Sequence, residues 1–280
     1  MDTAGDGLHG LERSDMELHT EEHSVVSPAD GAEIGYLKMG AGPPVVIVPG
    51  ALGLALDWSF VAGALDGKAT CYPIDRRGKG RSALGSGYSV EAEAADIAAV
   101  LDAVGPDACL FGHSSGALMA LEAARLHAVT KLAVYEPPFH FKGPEVDALL
   151  ARYNAKLDAG DNDAAIDLLA REELRLPDEQ ITFMRSTPVW DILKSLAPTF
   201  PAEWEAIWRF DPQVRSYKDL TMPVLLLTGS MTESNPSYAT QELLELLPDA
   251  RKVVLAGQGH MAHLAAPELV ADAIAGFLQS

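Results

Sequence analysis

Cysteine is nearly absent from this chain: Cys71 and Cys109 are the only two in 280 residues. That excludes a small scaffold stapled by several disulfides. Basic residues are also few, with 21 Lys and Arg against 40 Asp and Glu, a formal net charge of −19. Binding to nucleic-acid phosphates needs clustered cations, so a nucleic-acid partner is not expected. Attraction to an anionic lipid surface is disfavoured for the same reason. The acidic excess reads as a solvated surface that aids solubility. No uninterrupted apolar run is long enough to span a bilayer. Met1 to Glu22 lacks the basic start and apolar centre of a signal peptide. We therefore expect no membrane partner, a cytoplasmic address and a disordered tail over residues 1–22.

What remains is ordinary globular composition, 48% apolar and 22% charged, in a chain long enough for one large core with an insertion. Strand-like and helix-like segments alternate, which predicts a mainly parallel sheet with helices on both faces. Ser24–Val26 and Ala32–Lys38 read as an opening hairpin around Pro28-Ala29-Asp30-Gly31. Val45–Val48, Thr70–Ile74, Ala108–Phe111, Leu132–Tyr135, Pro223–Gly229 and Arg251–Leu255 read as strands. The apolar ones suit a sheet covered on both faces. Helices are expected at Trp58–Leu65, Glu91–Val104, Ser237–Leu247 and Pro267–Leu278. The rhythm breaks at Pro137-Pro138. From there to about Arg215 only amphipathic helical patterns occur, at Pro144–Ala159, Asn162–Leu174, Pro177–Ser186 and Val189–Phe210. Trp190, Trp204 and Trp208 fall in this stretch, with Phe183, Met184, Phe200 and Phe210. They are expected to form a small core there, and some of them to line a pocket.

Chemistry concentrates in Gly112-His113-Ser114-Ser115-Gly116. The pattern G-x-S-x-G alone also fits a glycine-rich loop whose serine merely caps a helix. Here it follows the apolar run Ala108–Phe111 and precedes Ala117–Ala124, a run of strong helix formers. A strand, a sharp turn and a helix are the setting in which the central serine becomes an exposed nucleophile. Upstream stand Pro44–Val48 with the turn Pro49-Gly50-Ala51, then Asp75-Arg76-Arg77-Gly78-Lys79-Gly80-Arg81-Ser82. Downstream, Val253–Ala256 leads into Gly257-Gln258-Gly259-His260.

This order of motifs resembles the α/β-hydrolase family, from about Val25 to the C-terminus with a gap in the middle. The resemblance implies an α/β fold with a mostly parallel eight-stranded sheet, helices on both faces and a helical cap insertion. Residues 23–138 and 216–280 would form the core domain and 139–215 the cap. It implies Ser114 as nucleophile and His260 as its base. The oxyanion donors would be the amides of Ser115 and of Ala51, although Pro49 stands where the family usually writes histidine. Asp75, Gly78, Gly80 and Ser82 match a turn read as structural. Cys71 and Cys109 would flank one intervening strand, roughly 9–10 Å apart, too far for a disulfide.

The acid that orients His260 has two candidates. The family's common position after the strand ending at Gly229 holds Thr232, with Glu233 beside it. In some members, haloalkane dehalogenases among them, the acid follows the strand after the elbow helix; here that is Glu136. Glu136 is favoured, with Glu233 as the alternative. His263 is read as a packing residue, and His113 is expected to point away from the nucleophile. No metal or other cofactor is expected. The implied activity is hydrolysis of an ester, thioester or lactone of a medium-sized, mostly apolar small molecule, by a monomer or homodimer. Rivals are a carbon–carbon bond hydrolase, a non-hydrolytic cyclase or lyase, and a non-catalytic receptor on the same scaffold.

Overall fold

The structure is a computed structural model that describes residues 19–139, 143–210, 214–235 and 238–280. The chain opens with two antiparallel strands, β1 (Thr20–Val26) and β2 (Glu33–Ala41), followed by β3 (Pro44–Val48). Helix α1 (Ser59–Ala64) leads to β4 (Ala69–Pro73), and α2 (Val90–Val104) to β5 (Cys109–His113). Helix α3 (Ser115–Leu126) and β6 (Lys131–Tyr135) complete the first half. Five helices follow: α4 (Pro144–Asp158), α5 (Asn162–Leu168), α6 (Asp178–Arg185), α7 (Pro188–Leu196) and α8 (Phe200–Arg209). The chain then returns through β7 (Val224–Gly229), α9 (Thr240–Leu246), β8 (Ala250–Leu255), α10 (Ala262–Ala265) and α11 (Pro267–Leu278).

The eight strands form one sheet in the order β1-β2-β4-β3-β5-β6-β7-β8, antiparallel at β1/β2 and β2/β4 and parallel elsewhere. This is the expected mostly parallel eight-stranded α/β-hydrolase sheet. Residues of β3, β5, β6 and β7 are almost all buried, because helices cover both faces. One core, with Leu110, Leu118 and Val134, lies on the α2/α3 side. The other, with Trp58, Phe111 and Phe277, lies under α1 and α11. Cys71 and Cys109 are buried and unpaired, each in register with Val45 on the intervening β3.

Three expectations need correction. The tail does not run to Glu22: Thr20, Glu21 and Glu22 already pair with Met39, Lys38 and Leu37 in β1. Their side chains are polar because β1 is an edge strand facing water. Residues 1–18 of that expected tail lie outside the described residues. The single helix expected over Val189–Phe210 is two, α7 and α8, separated by a tight turn at Ala197–Thr199. Pro198 and Pro201 lack the amide hydrogens a continuous helix requires there. Of the aromatics, Trp190, Phe200 and Trp204 join the buried core of the helical insertion. Phe183 and Trp208 are exposed instead.

Candidate active site

Strand β5 ends at His113, and the backbone reverses so sharply that Ser114 takes φ 55° and ψ −128° before α3 begins. That conformation is strained for a residue with a Cβ. The Ser114 amide donates to the Tyr135 carbonyl at 2.8 Å, and the Ala117 amide to the Ser114 carbonyl at 2.8 Å. The flanking glycines make the bend possible sterically. A Cβ on Gly112 would lie 2.5 Å from the Gly116 carbonyl oxygen, and one on Gly116 would lie 2.3 Å from the oxygens of Val48 and Pro49. Larger residues at either place would force strand and helix apart.

Ser114 borders a cavity at the carboxyl ends of the strands, where open α/β sheets place their ligands. His260 and the turn Pro49-Gly50-Ala51 border the same cavity. So does Ser115, whose amide stands at the start of α3. Among the described residues, neither the Ala51 nor the Ser115 amide donates to a backbone carbonyl.

His260 Nδ1 lies 2.6 Å from Glu136 Oε2, with both side chains almost wholly buried. The other carboxylate oxygen, Oε1, accepts from the Gly229 amide at 2.8 Å, from Thr228 Oγ1 at 3.1 Å and from the Thr232 hydroxyl. Burial pushes the Glu136 pKa upward, but the His260 contact, the Thr232 hydroxyl and the Gly229 amide outweigh it and hold it below its ordinary value. An ionised carboxylate is acceptor-only, so His260 Nδ1 carries the hydrogen and Nε2 is left basic. Glu136 sits at φ 50° just past the end of β6, another strained position.

Glu233, the alternative acid, is elsewhere. Its side chain is 45% exposed and pairs with Lys252 at 2.7 Å. Thr232, at the position where the family commonly has its acid, donates its hydroxyl to Glu136 instead. The two candidate turns thus meet, one supplying the carboxylate and the other a donor to it.

The neighbouring histidines pack. His263 stacks on Trp58 with ring centroids 4.8 Å apart, and burial, then the His260 charge, lower its pKa to about 3. His113 does not lie clear of the site. Its Nε2 donates to the His260 carbonyl at 2.9 Å, and burial keeps the ring neutral. It therefore fixes the backbone of the loop that carries His260. Tyr238 stacks on the His260 ring with centroids 5.0 Å apart.

Two groups escaped the sequence reading. Glu203 of α8 is fully buried and reaches Arg76, Lys79 and Ser115 under the elbow. Glu173 borders the cavity, and its carboxyl has no hydrogen bond or ion pair among the described residues. Glu203 has no local signal, because its partners are remote in sequence, and a helical pattern over Asn162–Leu174 does not place Glu173 on the cavity wall. Among the described residues no group of His, Cys, Asp and Glu side chains is arranged to hold a metal ion. No helix there is long and apolar enough to cross a membrane.

A sequence profile described as the Alpha/beta hydrolase family matches residues 45–273. The chain is 27% identical over 251 residues to a 2-(acetamidomethylene)succinate hydrolase of Mesorhizobium japonicum, covering 87% of this chain and 90% of that one. It is 27% identical over 248 residues to an esterase of Escherichia coli K12, covering 84% and 92%. It spans only 12% of another curated relative, a polyketide synthase of Burkholderia thailandensis, at 30% identity. Among solved structures, an alpha/beta hydrolase from Sphaerobacter thermophilus superposes with a TM-score of 0.77 at 32% identity, covering 91% of this chain and 99% of that one. With its sheet order, serine elbow and family match, the chain belongs to the alpha/beta hydrolase family of enzymes.

Proposed function

We propose that the protein is a serine hydrolase that cleaves a carboxylic ester, thioester or lactone through an acyl-enzyme. The observation that carries this reading is the 2.6 Å contact between His260 Nδ1 and Glu136 Oε2, beside a cavity that Ser114 also borders. A serine hydroxyl needs a base, and the base needs a partner that fixes its tautomer. Glu136 fixes it, leaving Nε2 of His260 to accept the Ser114 proton as Oγ attacks the acyl carbon. The amides of Ala51 and Ser115 receive the developing oxyanion. His260 then gives the proton to the leaving alcohol or thiol. Water, deprotonated by the same nitrogen, releases the acid and regenerates Ser114.

The substrate class follows from the walls. Residues 139–215, read as the cap, contribute Ile166, Leu169, Trp190 and Phe200 to the cavity lining. Among the described residues no lysine or arginine lines it. The name of the succinate hydrolase denotes a substrate with carboxylates; among the described lining residues no cation is placed to receive one. An esterase with a medium-sized, mostly apolar substrate fits better, in keeping with the E. coli relative. A panel of p-nitrophenyl esters of rising chain length, with lactones beside it, tests the reading. We expect turnover that peaks at intermediate length and falls by about 10³-fold or more in Ser114→Ala. Equal rates in both proteins would refute it.

A further inference from the structure

We infer that Glu173 is a specificity-determining residue of the cavity beside Ser114, and that it selects acyl substrates carrying a protonated amine. The inference rests on the serine-hydrolase reading and deepens it.

The backbone around Glu173 is irregular on both sides. After α5 the chain makes a widened turn over Leu169–Glu173, closed by the Leu174 amide on the Leu169 carbonyl at 3.0 Å. Turns of this i→i+5 kind are uncommon and concentrate at functional sites. Two residues on, Arg175 takes φ 50°. Among the described residues the other non-glycine positions with positive φ are Leu52, Ser114 and Glu136, two of which line the cavity while the third holds His260.

Glu173 lines the cavity together with the apolar Leu169, Leu174 and Trp190. It has no hydrogen bond and no ion pair among the described residues; Arg175 acts on it only through its longer-range charge. Burial, countered weakly by Arg175, pushes its pKa up to about 8. The other two carboxyls of the lining are engaged. Asp57 accepts from the Leu54 amide at 2.8 Å, and Glu203 is held by Arg76 and Lys79. Glu173 thus has unused bonding capacity on the wall of the space a substrate enters. Half-burying a carboxyl with no protein partner weakens its ionised form. An ammonium group on the substrate removes that penalty, keeps the carboxylate ionised and forms a charge-assisted bond. Tyr238, whose ring stacks on His260, lines the same cavity, so Glu173 shares one space with Ser114 and His260.

The test compares p-nitrophenyl ω-aminohexanoate with p-nitrophenyl heptanoate, which replaces the ammonium by a methyl group. The ratio of their kcat/KM values should fall by about tenfold or more in Glu173→Gln, since a bond to a charged group contributes on the order of a tenfold effect. Glutamine keeps hydrogen bonding and loses the charge, so a ratio within about twofold of wild type overturns the inference. If neither ester is turned over, the hydrolase reading fails and binding decides the rest. Titrations of Ser114→Ala with hexylamine and with hexanol should then show amine binding that Glu173→Gln abolishes. Equal amine binding with and without Glu173 overturns the inference on its own.

Discussion

Glu203, from the helical insertion, accepts a hydrogen bond from Ser115 Oγ at 2.9 Å, the hydroxyl of the residue that follows the elbow serine. Arg76 donates to the same hydroxyl at 2.8 Å and pairs with Glu203 at 2.5 Å, while its other nitrogens grip Glu93. Lys79 completes the cluster on Glu203 Oε2. Insertion and sheet are therefore joined through buried charges directly beneath the serine elbow.

Removing one member should be costly. In Glu203→Gln the buried Lys79 loses its counter-ion, and breaking such a pair costs about 3–5 kcal/mol. We expect the melting temperature to drop by about 6 °C or more, measured by calorimetry. Adding Lys79→Met should recover much of the loss, because the orphaned charge then disappears. An unchanged melting temperature in the single variant would show the cluster to be energetically idle.

Glu136 and Glu233 make opposite predictions. Glu136→Gln removes the charge that steadies the His260 imidazolium and should lower kcat by about 10³–10⁴-fold. Glu233→Gln only loosens a surface pair with Lys252 and should leave kcat within about twofold. Thr232→Val removes a donor to Glu136 and should fall between, by about tenfold. Steady-state kinetics on one p-nitrophenyl ester ranks the three.

Glu173 also sets a pH dependence of stability. Its folded-state pKa, raised to about 8 from an ordinary 4.5, means that folding favours its protonated form. The associated stability is complete below pH 4.5 and is lost as pH rises through about 8. Arg175 and Tyr238 are the charged or titratable neighbours that feel it. Glu173→Gln should therefore melt with less pH dependence than wild type across that window, as followed by urea titrations at several pH values.

Both thiols should be inert while the protein is folded. Burial raises the pKa of Cys71 and of Cys109 to about 12, so almost no thiolate exists at pH 8. A thiol reagent such as dithionitrobenzoate should modify neither thiol natively and both in guanidinium. Fast native labelling of either would contradict the burial described here.

Much of this was legible in the sequence because it is local. The elbow is five consecutive residues between a strand and a helix, and the late histidine follows a strand and two glycines. The apolar strands announce themselves because both faces are covered. Glu136 could be reached through its place at a strand end, yet only the structure brings Thr232 and Gly229 to it. The cluster under the elbow was illegible because Arg76 and Glu203 lie far apart in sequence, and Arg76 and Lys79 read as part of a glycine turn. Glu173 was hidden for another reason. A helical pattern over Asn162–Leu174 does not reveal the widened turn that sets where this carboxyl lies. The polar β1 edge and the break at Pro198 were lost to composition and to amphipathic continuity respectively.

The central claim is that Ser114 is a nucleophile activated by His260 and Glu136. Intact-mass spectrometry after treatment with a fluorophosphonate measures it most directly. We predict one adduct, mapped by peptide sequencing to Ser114, absent in Ser114→Ala and much slower to form in His260→Ala and Glu136→Gln. No adduct on the folded wild-type protein, or an adduct on another serine with Ser114 untouched, would contradict it.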